Sequence, residues 1–409
     1  MMNSPENFGR VCILGLGYIG LPTAAILAQH GYSVLGIDIN PDVVETINRG
    51  AIHIIEPGLE QMVAAAVQNQ QLRASTLPAS ADVVIICVPT PFYPATQGLP
   101  QPNLDYVIAA TQAIAPVLQS GNLILLESTS PVGATEQVAK TLEAAGAPIH
   151  SLHLAYCPER VLPGNTLDEM IHNDRVVGGL TSSSSAVAQS FYQTFCQGQI
   201  LTTDARTAEM CKLTENAFRD VNLAFANELS MLCPDLGVDI RELIRLANRH
   251  PRVNILHPGS GVGGHCIAVD PWFIAAAAPT RSPLLQTARQ VNDYKPQWVV
   301  EQVVVAAKQF AATHQRQPTI ACLGLAFKPN VDDLRGSPAL EITQRLQTLG
   351  YAILPVEPNL DVHPSLDLVS CSFAIDKADL LVFLVGHREF QGIAPAQPYL
   401  DFCGVTSEL

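Results

Sequence analysis

No Cys-x-x-Cys pair occurs in this chain, although ten cysteines are scattered along its 409 residues. Without such pairs a structural zinc site has no framework, and the irregular spacing argues against a disulfide scaffold. The thiols therefore read as small buried hydrophobes in a reducing, cytoplasmic compartment, and no metal is expected. Basic residues are scarce too: 23 Lys and Arg stand against 37 Asp and Glu, a formal net charge of -14. A surface of that sign repels phosphate backbones and anionic lipid, so neither nucleic acid nor a membrane is expected as a partner. A bound nucleotide stays compatible, because helix N-termini and a few Arg or Lys can hold phosphate locally. Short repeats and low-complexity tracts are missing as well.

What is present describes a globular chain of more than one domain. Hydrophobic residues make up 48% and charged ones 15%, and the length exceeds one ordinary core. Residues 11–28 carry no charge, long enough for a membrane span or signal core. Three glycines and a proline inside that stretch, with little basic before it, fit a strand–turn–helix better.

Buried parallel strands are predicted at VCILG (from Val11), SVLGID (from Ser33), ADVVIICVP (from Ala81) and NLILLES (from Asn122), with helical segments between them. Asn40-Pro41 supplies a cap and first-turn proline for one of those helices. This alternation predicts an α/β fold, a doubly wound parallel sheet of Rossmann type. HLAYCPE and DRVVGG extend it to about Leu201. A long glycine-free helix is expected from Asp204 to Cys233, another near Ile240–Asn248, and a third from Ser282 to about Thr313 that Pro296 kinks or breaks. TIACLGLAF, YAILPVE and ADLLVFLV then restore the strand pattern. The division expected is a first domain over 1–201, a helical central and dimerising domain over 202–313, and a smaller Rossmann-like domain over 314–409.

Gly15-Leu16-Gly17-Tyr18-Ile19-Gly20 fits G-x-G-x-x-G between a strand and a helix. Gly15 permits the tight turn, Gly17 lets backbone approach a pyrophosphate, and Gly20 lets the helix pack on the strand. Asp38, closing the second strand, can accept from both ribose hydroxyls and would repel a 2′-phosphate, which favours NAD. Thr90 and Thr129 follow predicted strands, where open α/β sheets bind ligands; loop capping explains them equally well.

Two constellations suggest chemistry. Glu209, Lys212, Asn216 and Arg219 recur at three- and four-residue steps on the long helix, one face of it. A solvated helix face explains that spacing better on its own, though Asn216 is a poor helix former. The second constellation runs Gly259-Ser260-Gly261-Val262-Gly263-Gly264-His265-Cys266, with Asp270-Pro271 behind it. So many glycines demand tight bends or close backbone approach. Cys266 ends that loop where a substrate can reach its sulfur, and a lysine nearby would raise its thiolate fraction.

Glu209-Met210-Cys211-Lys212-Leu213-Thr214-Glu215-Asn216, Gly263-Gly264-His265-Cys266 and Asp270-Pro271 resemble the nucleotide-sugar dehydrogenases of the UDP-glucose/GDP-mannose dehydrogenase family, and the resemblance runs from Val11 to about Val385. It implies an NAD domain, a helical dimerising middle and a C-terminal UDP-binding domain, in a homodimer or higher homo-oligomer serving polysaccharide biosynthesis. Arg249–Ile255 and Asn216–Asn222 are similar to members acting on UDP-N-acetyl-D-mannosamine. That implies four-electron oxidation of its primary alcohol to the uronate, with UDP-N-acetylglucosamine or UDP-glucose as neighbouring substrates. A non-catalytic nucleotide-binding protein is the alternative of another class.

By the same resemblance Cys266 attacks the aldehyde and carries a thiohemiacetal and then a thioester. Lys212 serves as acid and base and, with Asn216, stabilises the oxyanion; Asp270 orients the thiol region; Glu159 directs water. A structural salt bridge is the competing role for Glu159 and Asp270. The resemblance further puts Arg160, Val161, Arg219, His250, Arg252 and Gly263 at the substrate, Lys328 and Pro329 at UDP, and Arg335 at NAD. Two positions depart from the family pattern: Gly336 stands where an acidic residue is common, and Asp401-Phe402-Cys403-Gly404 lacks the usual basic residue.

Overall fold

The computed structural model describes residues 8–93, 98–162, 164–264 and 266–406; His265 of the glycine-rich motif lies outside them. Two compact units divide the chain, residues 1–214 with 272–278 and residues 215–271 with 279–409.

The first unit carries β1 (Arg10–Leu14), α1 (Gly20–Gln29), β2 (Ser33–Ile37), α2 (Pro41–Asn48), α3 (Leu59–Gln68), β3 (Leu72–Ser75) and β4 (Val83–Ile86). There follow α4 (Asp105–Ile114), β5 (Leu123–Leu126), α5 (Ala134–Ala144), β6 (His153–Tyr156), α6 (Thr166–His172), β7 (Arg175–Gly179), α7 (Ser182–Tyr192) and β8 (Ile200–Asp204). One sheet holds all eight strands in the order β3-β2-β1-β4-β5-β6-β7-β8. Its switch point, where ligands bind in such sheets, falls between β1 and β4. The strands pair in parallel, with one departure from expectation: β6 and β7 run antiparallel.

The apolar runs are continuous because both faces of the sheet are covered. Val11 and Ile13 of β1 join Leu21, Val63 and Phe191 from α1, α3 and α7 on one face. Cys12 and Leu14 join Val107 and Leu142 from α4 and α5 on the other. The uncharged stretch of residues 11–28 is this core: α1 buries nine of its ten residues, as a helix apolar all round must. Among the described residues no helix is long and apolar enough to cross a membrane.

The middle of the chain contains α8 (Ala205–Leu236), α9 (Ile240–Ala247), α10 (Asp270–Ala277) and α11 (Pro283–His314). Pro296 does not break α11. Val299, Val300 and Val303 just beyond it are buried in a core cluster, and that burial offsets the hydrogen bond a proline removes.

In the second unit, β9 (Thr319–Leu323), α12 (Pro338–Thr348), β10 (Ala352–Val356), α13 (Cys371–Lys377), β11 (Leu380–Phe383) and β12 (Tyr399–Asp401) form a smaller α/β layer. Its sheet runs β10-β9-β11-β12, parallel throughout. Ile342 and Leu346 of α12 and Val303 of α11 cover one face, and Phe383 and Phe390 fill the other.

Candidate active site

In the first unit, the glycine fingerprint bends where β1 gives way to α1. Gly15 adopts φ +88°, and a Cβ there would lie 2.6 Å from the Cys87 carbonyl oxygen. A Cβ on Gly20 would fall 1.8 Å from the Gly15 oxygen, so that position tolerates no side chain. Gly17 is different: a Cβ there would meet nothing within 4 Å. Its open side is what a pyrophosphate needs, and no side chain caps the start of α1, which leaves helix N–H groups for an anion. Asp38 accepts from Leu16 N at 3.1 Å and from Asn40 N at 2.9 Å, so it braces the loop at the place where a ribose would sit. Tyr18 is exposed. Ile19 packs its side chain against the core, which leaves its main chain for a cofactor. These residues fit NAD.

At the ends of β4 and β5, the Thr90 hydroxyl donates to the Thr129 carbonyl at 2.5 Å. Ser128 donates to the Val88 carbonyl at 2.7 Å. The capping explanation is therefore realised for the Thr90 hydroxyl, with Thr129 taking part through its carbonyl.

Glu159 lies buried just past β6. Its carboxylate accepts from Arg160 N at 2.7 Å and pairs with Arg175 at 3.1 Å. The Arg175 guanidinium, also buried, rests 4.9 Å from the centre of the Tyr192 ring, and Tyr192 donates to Glu127 at 2.6 Å. Burial pushes the Glu127 carboxyl up. Arg175, Tyr192 and Glu127 were not foreseen; the sequence signal was an acidic residue closing the strand before Ser128. Arg160 donates to the Asp174 carbonyl at 3.0 Å, and Val161 turns its side chain onto the core.

The face of α8 read as solvated is buried. Glu209 and Asn216 have 0% exposure and Lys212 8%; Arg219 alone of the four is exposed. Glu209 has a structural task, accepting from Gly133 N at 2.6 Å and from Thr135 N at 2.8 Å. It thus caps α5 from a distance.

In the second unit, Asn216 donates its amide to the Asp270 carboxylate and accepts from Arg219 through its oxygen. Asp270 opens α10, and its backbone N–H donates to the Cys266 carbonyl at 2.8 Å. The aspartate therefore ties the cysteine's main chain to the asparagine. Cys266 is exposed, and among the described residues no other cysteine is.

The glycines before Cys266 are required by close packing. A Cβ on Gly263 would lie 2.4 Å from the Gly336 oxygen and 2.6 Å from Pro338 Cδ, and one on Gly264 would lie 2.9 Å from the Phe327 ring. The thiol loop is thus seated on the segments that carry Lys328, Pro329 and Arg335. Gly336 has φ +60°, a conformation that suits glycine at this departure from the family pattern. The Asp401 turn receives its cation from outside: Arg241 of α9 pairs with Asp401 at 2.8 Å. Arg335 is exposed and forks onto Asp333 at 2.7 Å. His250 and Arg252 are exposed after α9, with the His250 Nδ1 accepting from Arg252 N at 3.3 Å.

A glycine cradle at a switch point and a reachable thiol on a second glycine loop define a nicotinamide-dependent oxidoreductase. Comparison with known proteins agrees. Profiles of the UDP-glucose/GDP-mannose dehydrogenase family match in three parts: the NAD binding domain at residues 9–196, the central domain at 206–294 and the UDP binding domain at 321–402. The NDP-N-acetyl-D-galactosaminuronic acid dehydrogenase of Ralstonia nicotianae is 53% identical over 400 residues, covering 94% of this chain and 92% of its own. The UDP-N-acetyl-D-mannosamine dehydrogenase of Escherichia coli (strain K12) is 52% identical over 405 residues, covering 95% and 96%. A solved UDP-D-ManNAc dehydrogenase from Pyrococcus horikoshii superposes with a TM-score of 0.88 at 35% identity, covering 98% and 96%. This chain belongs to the UDP-glucose/GDP-mannose dehydrogenase family, with that family's three-domain architecture and NAD as cofactor.

Proposed function

We propose that the protein oxidises UDP-N-acetyl-D-mannosamine to UDP-N-acetyl-D-mannosaminuronate, with NAD as oxidant. The observation that carries this reading is the exposed Cys266, set on a glycine loop whose main chain is fixed by Asp270 and Asn216. The roughly half-identical relatives that act on this sugar support the substrate.

Gly15, Gly17, Gly20 and Asp38 would hold NAD, with Tyr18, the Ile19 main chain, Thr90, Thr129 and Arg335 around it. Bound there, NAD would supply the hydride acceptor that each of the two oxidations at the sugar's C6 requires. Cys266 adds to the intermediate aldehyde: the sulfur–carbon bond forms, and the thiol proton passes to the new hydroxyl through Lys212. Once the thiohemiacetal has been oxidised to a thioester, water directed by Glu159 attacks, the carbon–sulfur bond breaks, and the sulfur recovers its proton. Water enters once, so one alcohol yields one carboxylate and two NADH. One N–H of the Asn216 amide is committed to Asp270; the other is left for the oxyanion, beside Lys212. Arg160, the Val161 main chain, Arg219, His250, Arg252 and Gly263 would bind the sugar and diphosphate, and Lys328 and Pro329 the uridine end.

A second reading has its own support. Relatives at 53% identity carry the name NDP-N-acetyl-D-galactosaminuronic acid dehydrogenase, so the same chemistry on a galactosamine nucleotide is the competitor. Purified protein given NAD and each of the UDP-linked N-acetylmannosamine, N-acetylgalactosamine, N-acetylglucosamine and glucose separates these. Two NADH per uronate from the mannosamine nucleotide is the expected result. Uronate from another sugar, with none from that one, ends the substrate assignment.

We also propose domain limits of 1–201, 202–313 and 314–409, and a cytoplasmic homo-oligomer, at least a dimer, in polysaccharide synthesis. Ten cysteines scattered without a Cys-x-x-Cys pair suit a reducing compartment. Phe218, Phe225, Leu232 and Leu236 of α8 are all exposed, and their spacing puts them along one helix face. So much exposed apolar surface suits a second copy of the chain. A monomeric mass in light scattering would refute the oligomer.

A further inference from the structure

We infer that His387 and Glu357 are positioning residues for the nucleotide end of the substrate, holding the Lys328–Asn330 turn in its binding shape. The inference rests on the reading above that Lys328 and Pro329 contact UDP. Glu357 follows β10 directly and His387 lies in the turn after β11, on either side of β9; their exposures are 3% and 0%. One Glu357 oxygen accepts from Leu325 N at 2.8 Å, Ala326 N at 2.9 Å and His387 Nε2 at 3.1 Å. The other accepts from the backbone and side-chain nitrogens of Asn359 at 3.1 and 3.0 Å.

His387 Nδ1 faces the Asn330 backbone N–H at 3.0 Å. A backbone N–H can only donate, so Nδ1 bears no proton and the ring proton sits on Nε2, toward Glu357. The next residue completes the grip, because Arg388 N donates to the Asn330 side chain at 3.0 Å. Asn330 stands at φ +60°, the left-handed region that asparagine enters more readily than most side chains, and these two contacts fix it there. The turn that presents Lys328 is therefore fixed at its far end by one buried imidazole, itself oriented by the Glu357 carboxylate and by the Asn359 amide, which lies 3.0 Å from the same Nδ1.

The first sheet shows what has changed. Asp38 occupies the matching place there, at the end of the strand beside the glycine turn, and accepts two backbone N–H groups while half-buried. Glu357 is buried under five donors, which fills its acceptor capacity. An acid so occupied cannot bind ribose hydroxyls. Recognition at the second sheet accordingly falls to the loop, whose shape the pair sets.

The test is UDP binding by calorimetry, together with steady-state kinetics, on the full-length protein. His387→Phe should raise the UDP Kd and the sugar-nucleotide KM at least tenfold, while kcat at saturation and NAD affinity hold. His387→Gln, whose amide offers one acceptor and one donor as the neutral ring does, should recover most of that loss. A folded His387→Phe protein with UDP affinity within twofold of the parent, or a Gln variant as impaired as Phe, overturns the inference. Should His387→Phe not fold, Glu357→Gln serves in its place: a tenfold weaker UDP Kd supports the assignment and an unchanged one rejects it. Failure of the parent protein itself to bind UDP would mark the underlying functional reading as the fault.

Discussion

Asn216 on α8 donates its side-chain amide to Asp270 at the start of α10, fifty-four residues further along the chain. Arg219 engages the other side of the same amide, and the Asp270 backbone holds the Cys266 carbonyl. The amide is thus fixed in orientation before any substrate arrives, which is the condition for electrostatic stabilisation without reorganisation.

Replacing Asn216 by alanine should lower kcat by roughly 10²–10³-fold, the cost of losing one oxyanion donor. NAD affinity should hold. Stopped-flow measurement of the first NADH would show the loss already in that step. A variant with parental kcat would remove Asn216 from the reaction.

Cys266→Ser should abolish uronate formation, by several orders of magnitude, while NAD still binds. Mass spectrometry of product separates this from simple inactivity, since any residual turnover should stop at the aldehyde. Full four-electron oxidation by the serine variant would dispose of a covalent thiol.

Gly263→Ala tests whether the glycine loop is shaped by packing. Its Cβ would sit 2.4 Å from the Gly336 oxygen, against backbone that has no flexible end to move. The loop must shift, and a displacement near 1 Å can cost about 10²-fold in rate. We expect that loss in kcat/KM with the NAD Kd unaltered. An alanine variant as active as the parent would mean that the loop has slack.

How far the sequence disclosed this arrangement varied with the kind of signal. Both Rossmann-like sheets were legible because two-sided burial writes long apolar runs, as in Val83–Ile86. β3 and β12 escaped notice: Leu72-Arg73-Ala74-Ser75 turns only alternate residues inward, and an edge strand of three residues has little pattern to show. Periodicity placed Lys212 and Asn216 on one helix face but could not tell water from protein as that face's neighbour. The Glu159–Arg175 pair joins residues sixteen positions apart and leaves no local pattern at all, because the antiparallel turn of β7 back onto β6 brings them together.

Lys295 offers a pH test of the fold rather than of turnover. It is 2% exposed, donates to Ser230 at 2.7 Å and lies 3.9 Å from the centre of the Trp298 ring. Burial brings it down to about 7 from 10.5, against the preference of the ring face for a cation. The unfolded chain then binds more protons than the folded one between those values, so stability should rise with pH across that window. Lys295→Met should flatten the rise in urea midpoints measured at about pH 7 and pH 10. Equal slopes for the two proteins would show that Lys295 stays charged.

A sulfur exposed enough to take the aldehyde of the proposed reaction is reachable by other electrophiles. Peroxide or an alkylating agent would find Cys266 before any of the less exposed thiols. Activity would then vanish while the fold stood intact. Occupancy by the sugar nucleotide would shield the same atom, so the resting enzyme is more vulnerable than the working one.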